Sequence, residues 1–285
     1  MKKQFYILIL SFCSVLSVFS QELKSYQIFN SKGKKITYAK MTKELQKYEV
    51  ILFGELHNEP IAHWLQIKIV KDFHKAKHHF AIGLEMMERD VQPYLDDYLK
   101  GDITQKQFDS LGRLWHNYTT DYKPIVDYAK ENKISVIASN IPRRYARKVY
   151  KYGLEALDSL PDADKKWIAP LPIKYDSELS QYKNMLKMNV HAGENFPKAQ
   201  AIKDATMGYS IVEQLENNQK IIHLHGAYHS DFYQGIYWYV KQQRPEVKIA
   251  VISTVLQEQL QSIDKDSLKK ADFIIVIDQD MTKTY

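Results

Sequence analysis

Short apolar runs that end in acidic, amide or imidazole side chains recur along this chain. They cover residues 50–53, 80–84, 134–138 and 221–225. Nearly continuous apolar strands are typical of a parallel sheet covered by helices on both faces. Ligands bind beyond the carboxyl ends of such strands. We therefore expect polar groups scattered over about 175 residues of sequence to meet in one cleft.

The same pattern predicts the order of the secondary-structure elements. The Gly33 turn between alternating runs indicates a hairpin at 26–39. Core strands are predicted at 50–54, 80–85, 134–139, 220–225, 247–253 and 272–277. Helices are predicted at 41–48, 61–77, 92–100, 104–116, 123–132, 199–217 and 231–243. The helix at 61–77 joins two strands as a βαβ unit, which favours parallel pairing.

These elements predict an α/β fold with a mostly parallel central sheet flanked by helices. We expect one domain over residues 21–285, because the chain shows no repeat and no linker. Two helical insertions, at about 88–130 and 143–218, are expected to cap the carboxyl ends of the strands.

The first 20 residues have the character of a signal peptide. Lys2 and Lys3 precede an apolar stretch from Phe5 to Phe19, and small residues stand at the two positions that a signal peptidase reads. We therefore expect export to the periplasm, the outer membrane or the medium. Removal of this segment, which includes the only cysteine, Cys13, would lower the net charge from +6 to +4. This mild, dispersed positive charge argues against nucleic-acid binding.

Two G-x-x-H motifs directly follow predicted strands. One is Gly54 to His57 and the other is Gly226 to His229. Glu85 ends a third strand, where a carboxylate would be costly to bury without a partner. His57, His229 and Glu85 are therefore candidate ligands for a divalent transition metal such as zinc, manganese or iron.

The chemistry of this set is open at this stage. A bound metal could generate a hydroxide nucleophile, with Glu55 or Glu85 as the general base of a hydrolase. Alternatively, a histidine or a tyrosine could ligate a haem iron, and the helical insertions could cover the porphyrin.

Four further residues are candidates for binding a haem cofactor. His63 lies on the helix that follows the first motif, one turn before Gln66 on the same face, and Tyr122 belongs to an aromatic group before the 123–132 helix. Arg143 follows Asn140 at the end of a strand, where its guanidinium could hold a carboxylate such as a haem propionate. Packing or surface roles are the alternative for His63, Tyr122 and Arg143.

Five segments together resemble the ChaN-like haem-binding family. That family belongs to a superfamily that also holds the Tiki and TraB proteins and, more distantly, the erythromycin esterases. The segments are Gly54 to Asn58 with His63 and Gln66, Gly83 to Met86, Asn140 to Arg143, Ala199 to Met207, and Gly226 to His229. They extend over about residues 50–240.

The resemblance implies an α/β sandwich with a cleft at the strand ends and a role in haem or iron uptake. Haem or another small molecule is then the expected ligand. The Tiki-like members imply the alternative, a metal-dependent hydrolase of peptide or ester bonds that uses His57, His229 and Glu85. Association with a membrane through the N-terminal segment and a homodimer both remain open. The bulky Phe12 before Cys13 departs from the lipoprotein pattern.

Overall fold

The computed structural model describes residues 23–188, 193–217 and 219–285. The predicted signal peptide lies outside these residues. No helix in the described ranges combines the length and the apolar character needed to cross a bilayer.

An eight-stranded mixed sheet forms the centre of the protein. Its strands, in chain order, are β1 (Tyr26–Asn30), β2 (Lys35–Ile36), β3 (Val50–Glu55), β4 (Phe80–Glu88), β5 (Ser135–Asn140), β6 (Lys220–Gly226), β7 (Ile249–Gln257) and β8 (Phe273–Asp278). In space they follow the order β2-β1-β8-β7-β3-β6-β4-β5. Strands β3 to β8 pair with one another in parallel, whereas β1 pairs antiparallel with both β2 and β8. The α/β fold and its mostly parallel sheet are therefore confirmed.

Helices cover both faces of the sheet. They are α1 (Tyr38–Leu45), α2 (Pro60–Lys75), α3 (Gln92–Lys100), α4 (Gln105–Leu111), α5 (Lys123–Asn132), α6 (Arg143–Tyr152), α7 (Asp162–Lys165), α8 (Ser180–Met188), α9 (Asn195–Glu216) and α10 (Ile236–Gln243). One apolar cluster joins the sheet to α2 and α5, and another joins it to α9 and α10. The strands lie between these two clusters, which explains why they are apolar on both faces.

Two predicted helices are shorter than the sequence suggested. The helix predicted at 104–116 ends at Leu111, and a π-helical turn at Tyr118–Tyr122 precedes α5. The helix predicted at 231–243 begins only at Ile236, because Phe232, Tyr233 and Gly235 have positive φ angles of 62°, 59° and 53°. A Cβ atom on Gly235 would lie 2.3 Å from the carbonyl oxygen of His229, so the chain turns there without a side chain.

Candidate functional site

The carboxyl end of β3 places a carboxylate–imidazole pair at the mouth of a cleft. Nδ1 of His57 lies 2.8 Å from Oε1 of Glu55. The Glu55 side chain is fully buried, whereas the His57 side chain is 34% exposed. The Trp115 ring meets the His57 ring edge-on at 5.0 Å between centroids. An acceptor at Nδ1 fixes the tautomer and the orientation of the ring and leaves Nε2 free for a ligand.

A buried hydrogen-bond network holds Glu55 from below. The Gln66 amide donates to Oε2 of Glu55, and the Tyr122 hydroxyl donates to Oε1. Nε2 of His63 lies 3.0 Å from the carbonyl oxygen of His57, and its Nδ1 lies 3.3 Å from Oε1 of Gln66. His63 and Tyr122 therefore support the Glu55–His57 pair from the interior and do not line the cleft surface.

Burial and Glu55 together raise the pKa of the Tyr122 hydroxyl far above its ordinary value. Ligation of iron by this residue would require the tyrosinate, as well as access to a buried oxygen. The role of Tyr122 and His63 as direct haem ligands stays a prediction.

The carboxyl end of β4 places a second carboxylate opposite the first. The pairing of β4 with β5 shifts register between Leu84 and Glu88, and Glu85 lies in this irregular segment. Oε1 of Glu85 lies 3.1 Å from Nε2 of His229, and its Oε2 accepts from the Gly226 backbone N–H at 2.7 Å. On its other side, Nδ1 of His229 bonds Asp204 of α9.

His229 is thus enclosed between two carboxylates in the interior. Burial alone would lower its pKa, but Glu85 and Asp204 raise it to about 10. Burial would raise the pKa of Glu85, but His229 holds it well below its ordinary value. Burial raises the pKa of Asp204, and His229 opposes this shift. The three groups form a buried row of carboxyl, imidazole and carboxyl side chains, which we call the Glu85–His229–Asp204 triad.

Gly226 lies between the Glu55–His57 pair and the Glu85–His229–Asp204 triad. A Cβ atom on this residue would lie 2.8 Å from Nε2 of His57 and 3.7 Å from Oε2 of Glu85. Burial alone would lower the pKa of His57, but the hydrogen bond to Glu55 and the charge of Glu85 raise it. The structure therefore gathers His57, Glu85 and His229 at the mouth of the sheet. No group of three histidine, cysteine, aspartate or glutamate side chains among the described residues is arranged to hold a metal ion.

Two more imidazoles lie beneath the cleft. Nε2 of His223 lies 2.8 Å from the Ser139 hydroxyl, and its Nδ1 lies 3.0 Å from Nδ1 of His225. The ring of His223 occupies the space above Gly83, where a Cβ atom would lie 2.5 Å from it. Burial lowers the pKa of His223 to about 3 and that of His225 well below its ordinary value. Both are therefore neutral core histidines.

Asn140 lies within the site, whereas Arg143 lies on the protein surface. The Asn140 amide donates to the Glu85 backbone carbonyl at 3.0 Å, so it joins the ends of β4 and β5. Arg143 lies on the exposed surface of the first turn of α6. The roles of both in haem binding stay predictions.

Sequence reasoning assigned no role to several residues of the site. Asp204 lies in a segment that supports the family resemblance, and its polar side chain within a buried helical stretch was the available signal. Tyr182 donates to its Oδ2 at 2.8 Å. Asn117 donates to Asp121 at 2.7 Å and to the His57 carbonyl at 3.2 Å, a link that only the fold reveals.

The C-terminal residues form one wall beside this site. The Thr284 hydroxyl donates to Asp121 at 3.1 Å, and its backbone N–H donates to the Asn58 carbonyl at 3.0 Å. The Lys283 ammonium pairs with Glu59. The residues that follow β8 therefore contact both the segment after β3 and the π-helical turn.

Fold and site together define an α/β protein with a polar cleft at the carboxyl ends of its parallel strands. A family model described as "Haem-binding uptake, Tiki superfamily, ChaN" matches residues 41–240. The chain belongs to this ChaN family, as the resemblance implied. None of the curated proteins compared with the chain matches it.

Solved structures share the fold. A structure reported as cofacial haem binding to ChaN of Campylobacter jejuni has a TM-score of 0.68 at 21% identity, over 89% of this chain and 97% of that one. A succinoglycan biosynthesis protein has a TM-score of 0.54 at 10% identity, over 84% and 90%. An erythromycin esterase mutant in its open conformation has a TM-score of 0.51 at 10% identity, over 89% and 97%.

Proposed function

We propose that this protein is exported and binds haem at the cleft beside His57, as a step in haem or iron uptake. Membership of the ChaN family is the observation that carries this proposal. The neighbour from Campylobacter jejuni, a ChaN reported with cofacial haem, supports the choice of ligand.

The donor set of the cleft fits a haem iron. Of the imidazoles described above, His57 alone combines partial exposure with a ring nitrogen, Nε2, outside the hydrogen bonds of the site. Glu55 increases the basicity of that nitrogen through Nδ1. The indole of Trp115, which contacts the His57 ring, supplies an apolar surface of the kind that porphyrins require. Bound iron would supply the coordination bond, and the protein would supply its orientation.

Titration of the purified protein with haemin tests this proposal. We expect a saturable shift of the Soret band, because a ligated haem differs in absorption from free haemin. The same protein recovered from the exported fraction of its cells is expected to begin at Gln21, after removal of the signal peptide. An unchanged Soret band in protein with an intact circular dichroism spectrum would contradict haem binding.

A second candidate function is metal-dependent hydrolysis of a peptide or ester bond. The approach of His57, Glu85 and His229 around Gly226 favours it, because these are the ligand types of hydrolytic metal sites. Glu55 would then remain as a candidate general base beside His57.

Metal analysis of the purified protein separates the two candidates. If the hydrolase candidate is correct, stoichiometric zinc, manganese or iron is expected in the native protein, and less of it in His57→Ala and His229→Ala. Metal content that survives both substitutions would exclude this site as the metal centre. Haemin titration of the metal-free protein provides the control.

A further inference from the structure

A cavity of about 850 Å³ lies away from the His57 cleft, along the free edge of β5. Its volume falls within the range of about 300–1,000 Å³ that is usual for small-molecule sites. The floor is the strand segment 134–138, and helices α3, α5 and α9 contribute to the walls. The five floor residues extend over about 13 Å, so the cavity is an elongated groove.

The β5 edge in this groove is already closed to another strand. The Gln92 side chain donates to the Val136 carbonyl at 2.9 Å and accepts from the Ala138 N–H at 2.6 Å. A β-strand added at this edge would need the same backbone carbonyl and N–H groups for its own hydrogen bonds. An extended peptide would therefore have to displace Gln92, whereas an aliphatic chain needs no backbone partner.

Apolar side chains line the length of the groove. Leu99, Ile137 and Trp167 lie along it, and Ile137 and Trp167 are only partly buried. Trp167 lies near the carboxyl end of β5, because Arg89, which follows β4, bonds the backbone carbonyl of the adjacent Lys166. The groove can therefore remove an extended apolar body from water.

Three lysines stand at the other end. The Ile134 N–H donates to the Ala129 carbonyl at the last turn of α5, which places Lys130 and Lys133 at the start of β5. The Lys130 ammonium lies 3.8 Å from the centre of the Tyr98 ring in the last turn of α3, close to Lys100. Among the described residues, none of these three lysines forms an ion pair.

The charges that line the groove leave a positive excess at its lysine end, because Arg89 neutralises Glu213 and Asp96 alone stands against the three lysines. Gln92 bonds Asp96 at 2.8 Å, and Arg89 pairs with Glu213 at 2.7 Å. We propose that this groove binds a long-chain monocarboxylate, with the aliphatic chain along β5 toward Trp167 and the carboxylate at Lys100, Lys130 and Lys133. This site is independent of the proposed haem site.

Fluorescence titration with a dansyl-labelled undecanoate tests the proposal. We expect saturable binding of one probe per chain, displaced by dodecanoate but not by dodecyltrimethylammonium, because only the carboxylate complements the lysines. The Lys100→Glu/Lys133→Glu variant is expected to bind the probe at least about tenfold more weakly. Lys40→Glu/Lys43→Glu, a matched reversal of exposed charges on α1, is expected to change affinity by less than about twofold.

A second variant tests whether the probe occupies the groove by filling the groove with a large side chain. Ser135 is exposed on its floor, so Ser135→Trp is expected to fill the groove and block the probe while the thermal unfolding curve stays near that of the native protein. Equal displacement by the cationic amphiphile, or equal loss of affinity in the α1 control, would overturn the proposal. Preferential binding of an extended peptide would overturn it as well. The Soret titration of Lys100→Glu/Lys133→Glu is expected to match the native one, which keeps this site distinct from haem binding.

Discussion

Replacement of His229 by alanine is expected to lower the free energy of unfolding by about 3–5 kcal/mol at pH 7, because it leaves buried charge without its partner. Glu85 and Asp204 both contact His229 and both lie in the interior. Without the imidazolium they would face each other across a cavity. Urea unfolding of the native protein and the variant measures the difference.

The pKa shifts of His229 and Glu85 predict how this loss of stability depends on pH. The pKa of His229 is raised to about 10, so its contribution to stability is full below about pH 6.5 and is lost as pH rises through 10. The pKa of Glu85 is lowered, so its contribution is present above about pH 4.5 and is lost as the solution becomes more acidic. The difference between native protein and His229→Ala should therefore be largest between these limits.

A second substitution serves as the control for that result. Glu85→Gln in the His229→Ala background removes one of the two unpaired charges and is expected to recover part of the lost stability. If the double variant is as unstable as the single one, the loss comes from the cavity. If His229→Ala lowers the free energy of unfolding at pH 7 by no more than an ordinary surface substitution does, the stabilising role of the triad is contradicted.

Gly226→Ala is expected to weaken haem binding about 100-fold or more, close to the effect of His57→Ala. The new Cβ would lie 2.8 Å from Nε2 of His57 and would displace the ring from its position. The backbone angles at Gly226, φ −62° and ψ 137°, suit alanine, so the fold is expected to remain. Soret titrations of the two variants and of the native protein measure the effect.

Tyr122→Phe distinguishes His57 from the other candidate ligand. The phenylalanine keeps the buried ring and removes only the hydroxyl that bonds Glu55. Because the ring stays in place, we expect Tyr122→Phe to keep the Soret shift, with an affinity lower by roughly 10- to 100-fold through the weaker support of Glu55. If Tyr122→Phe loses the Soret shift and Gly226→Ala keeps it, the iron ligand is Tyr122 and not His57.

The sequence predicted the sheet well because the parallel strands other than the edge strand β5 are buried on both faces. The run at 50–53 belongs to β3, whose observed range of Val50–Glu55 ends one residue beyond the prediction. The loop geometry at Phe232 and Gly235 was not predictable, because close approach to the His229 carbonyl forces it. Strand patterns report burial, whereas such turns depend on contacts between distant segments.

The strand-end residues of the site were predicted from the sequence, whereas the residues that hold them in place were missed. His57 and His229 follow β3 and β6, and Glu85 lies in the last part of β4, so their approach could be inferred from the rule that parallel strands end at one edge. Asp204 reaches His229 from the middle of α9, where its polar side chain in a buried helical stretch indicates a partner but does not identify His229 as that partner. The buried positions of His63 and Tyr122 likewise depend on the packing of α2 and the π-helical turn around Glu55.

The contacts of Lys283 and Thr284 have a practical consequence for experiments on this protein. A purification tag or a truncation at these residues would disturb Glu59 and Asp121, which are neighbours of the His57 loop. A change in ligand affinity caused by such an alteration could be mistaken for an intrinsic property of the cleft. Any affinity tag on this chain is therefore better placed at the other terminus, in place of the predicted signal peptide and with a cleavable linker before Gln21.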